Sequence, residues 1–240
     1  MLEALQEIDS IRLNFSSDGR IFLNLTIAFI MFGIALELKP SDFLKLLKSP
    51  KPAFVGILSQ FLLMPLLTFI IAVLLGGFIT PTIGTGMILV ASCPGGNVSN
   101  FISSLAKGNV ALSVSLTAFS SLGGLILTPF NFAFWGNLYM KFGAVQANSA
   151  LVQDLQVDVM DVLQTIILIL GVPLVIGAFV NLKFPGFTAK IVHWIKRFSI
   201  VAFIALIVII FASNFDLFLK YIKYIFFIVL VHNALALLMG

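Results

Sequence analysis

The residues best suited to chemistry form one run, Ser92-Cys93-Pro94-Gly95-Gly96-Asn97-Val98-Ser99-Asn100, followed by hydroxyls at Ser113 and Thr117. Asn97, Ser99 and Asn100 put three oxygen-bearing side chains directly after a Pro-Gly-Gly break. Ser113, Thr117, Ser121, Gly124 and Thr128 recur at steps of three and four, so on a helix they share one face. Neutral oxygens in this density suit a small hard cation or a polar ligand. Cys93 has no histidine or second thiol beside it, which argues against a thiolate metal site. No Walker, H-E-x-x-H or G-x-S-x-G element occurs, and no acid/base or nucleophile constellation points to an enzyme. Two blander roles stay open: a proline kink in a packing helix, and small residues that let helices approach closely.

The elements that must hold these residues are membrane spans. The 240 residues are 60% hydrophobic and 10% charged, with a mean hydropathy of +1.13, which excludes an ordinary soluble domain. The predicted fold is an all-α polytopic membrane protein with spans at about 21–38, 53–76, 82–106, 110–135, 159–182, 198–215 and 221–240. Residues 1–20 are expected to form a polar tail without a cleaved signal peptide, and 21–240 one transmembrane domain. The span 82–106 carries the break at its midpoint. Proline lacks an N–H and glycine weakens a helix, and the backbone groups freed at membrane depth must be buried in protein or line a wet cavity. Discontinuous helices of this kind build midplane sites in transporters. The Lys107-Gly108-Asn109 turn is expected to fold Ser113 and Thr117 back towards Ser99 and Asn100.

Loop signals punctuate the chain. Pro40-Ser41-Asp42 reads as a stop followed by a new N-cap, Pro50-Lys51-Pro52 as a rigid start to the second span, and Asn137–Val157 as the longest polar connection. With the N-terminus outside, the inner loops hold Lys39, Lys45, Lys48, Lys51, Lys107, Lys183, Lys190, Lys196 and Arg197. The outer segments hold Arg12, Arg20, Lys141, Lys220 and Lys223. The imbalance supports that orientation. The net charge of +4 is spread over these loops and gives no nucleic-acid signal. Within the spans, Gln60 calls for an interhelical partner. His232-Asn233 reads as a satisfied structural pair, although a membrane histidine is also a functional candidate. Glu37 is expected to pair with Lys39 at the interface.

Three stretches resemble the bile acid:sodium symporter family: Phe32-Gly33-Ile34-Ala35-Leu36 leading to Lys39-Pro40-Ser41-Asp42-Phe43, then Cys93–Asn100, then Ala106–Ser113 running to Thr117. His232-Asn233 also looks like a family feature. The resemblance implies an inverted-repeat transporter with core and panel domains and a broken crossover helix. It implies a first sodium ion at Ser99, Asn100, Ser113 and Thr117, a second at Gln60, and a substrate cavity near Asn97, Gly96 and Asn100. The family's second broken helix carries a glutamate and a G-x-Q-N-like run, and neither follows His232 here. The expectation is therefore seven spans of a nine-span pattern, with the last two beyond Gly240.

By the same resemblance the expected function is sodium-coupled symport of an organic anion, bile acid-like or a smaller carboxylate, by alternating access. Sodium serves as coupling ion and there is no other cofactor. The expected setting is the bilayer of a bacterial inner membrane, as a multi-pass protein. The alternatives are a proton-coupled or arsenite-type efflux permease on a related fold, and a non-transporting membrane scaffold.

Overall fold

The computed structural model describes residues 17–38, 40–48, 50–142, 164 and 167–239. Among them every regular element is a helix. The order is α1 (Ser17–Ala35), α2 (Pro40–Lys48), α3 (Pro50–Leu58), a π-helical turn (Ser59–Leu63), α4 (Met64–Leu74), α5 (Pro81–Ser92) and α6 (Asn97–Leu105). There follow α7 (Val110–Phe142), a second π turn (Ile167–Gly171), α8 (Val172–Lys183), α9 (Pro185–Ser213) and α10 (Phe215–Met239). Prolines open α2, α3, α5 and α9, where the missing N–H costs nothing.

Among the described residues, four helices are long and apolar enough to cross a membrane: Pro50–Leu74, Val110–Phe142, Pro185–Ser213 and Phe215–Leu238. The broken segment is real. Helices α5 and α6 are each too short to span ~30 Å of hydrocarbon, and residues 93–96 separate them.

Each π turn stands immediately before an X-Pro pair, Met64-Pro65 and Val172-Pro173. Proline cannot donate to the carbonyl four residues back, and its ring pushes that turn outwards. At Pro65 the orphaned acceptor is Phe61 O, and Asn131 Nδ2 donates to it at 2.9 Å. A side chain on α7 thus replaces the bond that the proline removed.

Several sequence-based boundaries shift. The prediction placed residues 183–197 in a loop, but α9 is helical from Pro185 onwards. Helix α2 begins at Pro40 itself, so Ser41 and Asp42 lie inside its first turn and not before it. Asn137 lies within α7, which runs on to Phe142. Residues 1–16, Lys39 and most of the expected Asn137–Val157 connection fall outside the described residues.

The chain divides into two compact units. In the first, formed among the described residues by Ser41–Phe142 and Tyr221–Met239, Ile71, Ala72, Ile88, Trp135, Tyr139 and Ile228 form a buried core. Gly84 lets the Tyr139 ring lie directly on α5, since a Cβ there would collide with it. Thr68 Oγ1 and His232 Nε2, both buried, are 2.9 Å apart and tie α10 to α4, the structural role expected of the histidine. In the second unit, Gly177 brings α8 against α1, where a Cβ would come within 2.7 Å of the Phe32 carbonyl oxygen and of Ala35 Cβ. Asn181 Nδ2 donates to Leu38 O at 2.7 Å. Glu37 pairs across helices with Lys196 Nζ at 2.9 Å; the expected neighbour, Lys39, is not among the described residues.

Candidate functional site

The site is built around the break between α5 and α6. Cys93 (φ −73°, ψ 150°) and Gly96 (φ −101°, ψ 170°) are both extended. The glycines are therefore not meeting a need for left-handed backbone. Nor does close packing demand them: a Cβ on Gly96 would meet nothing within 4 Å, and one on Gly95 only ordinary contacts. A Cβ on Gly95 would lie 3.6 Å from Gln60 Oε1 and 4.0 Å from Ser120 Oγ. On the facing helix, Gly124 makes room for Pro94, whose Cγ would be 3.0 Å from an added Cβ.

One carbonyl of the break is satisfied from another helix. Gln60 Nε2 donates to Cys93 O at 2.8 Å, the interhelical bond that the sequence called for. Gln60 stands in the π turn before Pro65, so the same proline-driven distortion sets where it points. An unmet carbonyl at membrane depth costs several kcal/mol, on the order of 2–7.

The turn after α6 follows from its own hydrogen bonds. Gly108 N donates to Ser103 O at 2.8 Å and Lys107 N to Ser104 O at 3.1 Å. This is the paired-bond helix stop, whose pivot must be left-handed. The pivot is Lys107 (φ 55°), not the glycine beside it. Asn109 Oδ1 then accepts from Leu112 N at 3.0 Å and caps α7.

That tight turn lays α7 along α6 and brings three of the predicted ligands together. Asn100 Oδ1 accepts from Ser113 Oγ at 2.6 Å and from Thr117 Oγ1 at 3.2 Å. Ser99 Oγ donates to Gly96 O at 2.7 Å, back towards the break. Ser99, Ser113, Thr117 and Gln60 line one recess of about 220 Å³, floored in part by Gly95. Asn97 belongs to the first turn of α6, but its side chain is outside the described residues. Gly96 precedes that turn and supplies no side-chain cap.

Sequence reasoning missed Ser120, which lines the same recess and donates to Thr117 O at 3.1 Å. Its position one turn beyond Thr117 was the available signal, but Ser121 fitted the three-and-four spacing as well. Asn131 was also missed; only a link between the Phe61 carbonyl and a partner 70 residues away could have revealed it.

The recess offers neutral oxygens and no carboxylate among its lining residues. Such a set can hold a monovalent cation. It has no general base or nucleophile activated for covalent chemistry.

The chain is similar to several known proteins. A family model described as the Sodium Bile acid symporter family matches residues 24–221. An uncharacterized sodium-dependent transporter of Bacillus subtilis, YocS, is 30% identical over 219 residues, covering 91% of this chain and 63% of its own length. A probable chloroplastic sodium/metabolite cotransporter of rice (Oryza sativa subsp. japonica), BASS2, is 33% identical over 69% of this chain and 36% of its own. The ileal sodium/bile acid cotransporter of rabbit (Oryctolagus cuniculus) is 30% identical over 78% of this chain and 50% of its own. The chain thus spans less than two thirds of the length of these relatives.

Proposed function

The chain belongs to the sodium bile acid symporter family, and from that premise we propose that it serves sodium-coupled transport of an organic anion by alternating access. The observation that carries the reading is the convergence of Ser113 and Thr117 on Asn100 Oδ1 beside a broken helix. Asn100 Oδ1 is the shared acceptor of these two hydroxyl donors. When sodium enters, Asn100 Oδ1 and the two hydroxyl oxygens turn their lone pairs to it. The hydroxyl protons then need other acceptors, and the carbonyls one turn back supply them. Ser115 already makes such a bond, to Ala111 O at 2.8 Å, and Ser92 to Ile88 O at 2.8 Å. Ser99 and Asn100 from α6, with Ser113 and Thr117 from α7, are the proposed holders of the first sodium.

Gln60 is the proposed side-chain ligand of a second sodium. Its Nε2 is engaged with Cys93 O, so its Oε1, facing Gly95, is the atom free to coordinate. The anionic group of the substrate is proposed to sit at Gly96, Asn97 and Asn100, where the start of α6 turns its first amides outwards and its dipole favours negative charge. A bile acid-like anion and a smaller carboxylate both fit this chemistry. The accompanying architecture is the inverted-repeat fold with core and panel domains, N-terminus outside, in a bacterial inner membrane.

The first experiment is thermal unfolding of the purified protein in sodium against equimolar potassium or choline. Sodium should raise the Tm, because a ligand held only by the folded state stabilises it by mass action, about 2.7 kcal/mol at a hundredfold excess over Kd. Ser113→Ala with Thr117→Ala should abolish the sodium-specific rise while keeping the Tm in potassium within a few degrees. A sodium rise that persists in the double variant overturns the ligand assignment, and no rise in the unaltered chain favours a scaffold.

A further inference from the structure

The second unit carries a feature that sodium coupling does not use: a basic and aromatic surface at the end where α1, α8 and α9 meet. Helix α9 has 29 residues, about 43 Å at 1.5 Å per residue, more than the ~30 Å of bilayer hydrocarbon. Its excess is on one side. Phe198–Ser213 is apolar, whereas Lys190, His193, Trp194, Lys196 and Arg197 crowd the preceding turns, which places those turns at headgroup level.

Lys190, Trp194 and Arg197 stand at i, i+4 and i+7, a single stripe of the helix. All three are exposed, Trp194 to 69%. The Arg197 guanidinium lies 5.8 Å from the Trp194 ring centroid. Lys183, at the end of α8, stands 5.4 Å over Phe179 and 5.8 Å over Phe184. Lys196 is neutralised by Glu37, whereas Lys183, Lys190 and Arg197 have no carboxylate partner among the described residues.

We infer that this end of the second unit binds an anionic phospholipid, its phosphate held by Lys190 and Arg197 and its glycerol region against Trp194. Charge complementarity selects the lipid class: three cations at headgroup depth, without a carboxylate partner among the described residues, attract a net negative headgroup and gain little from a zwitterionic one. Arginine offers a fork to phosphate oxygens, lysine a point charge, and tryptophan an amphipathic ring suited to the interface.

Trp194 makes the test direct. The protein is placed in nanodiscs containing a minor share of either brominated phosphatidylglycerol or brominated phosphatidylcholine, and tryptophan quenching is measured beside a Trp194→Phe reference. The reference subtracts Trp135, which is buried in the first unit. The Trp194 signal should be quenched several-fold more by the anionic lipid, since each basic residue near the surface favours anionic lipid by a further ~fivefold. Lys190→Gln with Arg197→Gln should remove the difference, and Lys190→Arg with Arg197→Lys should retain it. Raising salt should weaken the preference in the unaltered chain, which tests charge without any substitution. Equal quenching by the two lipids means a neutral lipid-facing surface and overturns the inference. So does an anionic preference that survives the double Gln variant. Neither result bears on sodium binding, which concerns other residues.

Discussion

Gln60 shows how a single side chain can hold two jobs. Its amide nitrogen is committed to the Cys93 carbonyl at 2.8 Å, and its oxygen faces Gly95. Gln60→Leu keeps the bulk but leaves Cys93 O without its donor. The expected cost is about 1–3 kcal/mol, at the upper end of what single side-chain hydrogen bonds contribute between membrane helices. It should appear as a lower Tm in potassium, and the sodium-induced rise should shrink as well, because the break carrying Ser99 and Asn100 loses its anchor. An unchanged Tm in potassium would show that Cys93 O is satisfied without Gln60. The need for a partner was legible at this residue, since an amide in hydrocarbon must bond to something. Which acceptor it took was not, because Cys93 is 33 positions away.

At the scale of elements, the site depends on one turn and one close approach. The turn pivots on Lys107 at φ 55°, where a Cβ costs about 1–2 kcal/mol. Lys107→Gly should relieve part of that and raise the Tm in either salt, by an amount corresponding to roughly 1 kcal/mol; a fall in Tm would mean that the lysine side chain contributes more than its strained backbone costs. The close approach is at Gly124, against Pro94. Gly124→Val should push the break away from α7 and weaken the sodium-induced stabilisation without touching a proposed ligand. Gly123→Val is the control, because a Cβ at Gly123 would meet only ordinary contacts, with Leu127 at 3.5 Å and Phe119 at 3.7 Å. Equal loss in both variants would point to general damage to α7. The sequence announced the turn through Lys107-Gly108-Asn109, but composition favours glycine as the pivot; the hydrogen-bond register of α6 moved the pivot one residue earlier.

Across the whole molecule, the proposed ion site lies inside the first unit and the lipid surface inside the second. Sodium should therefore slow amide exchange around Gly95–Thr117 and leave Gly177–Arg197 unchanged, read by hydrogen–deuterium exchange in sodium against potassium. Protection confined to the second unit would refute the site. The sequence by itself determined that the chain is a helical membrane protein, that one span is broken at Pro94-Gly95-Gly96, and that Ser113 and Thr117 share a helix face. These follow from local rules: hydropathy over a window, the missing proline N–H, and the 3.6-residue period. Only the tertiary structure decided that Asn100 Oδ1 collects both hydroxyls, that Asn131 satisfies Phe61 O, that Glu37 pairs with Lys196 and that residues 185–197 are helix. The first three join residues from 13 to 159 positions apart, and a partner at that distance is chosen by packing, which no local spacing encodes. The fourth is a balance between solvation of a polar stretch and continuation of an existing helix; α9 outruns the hydrocarbon and carries its polar turns at the membrane surface.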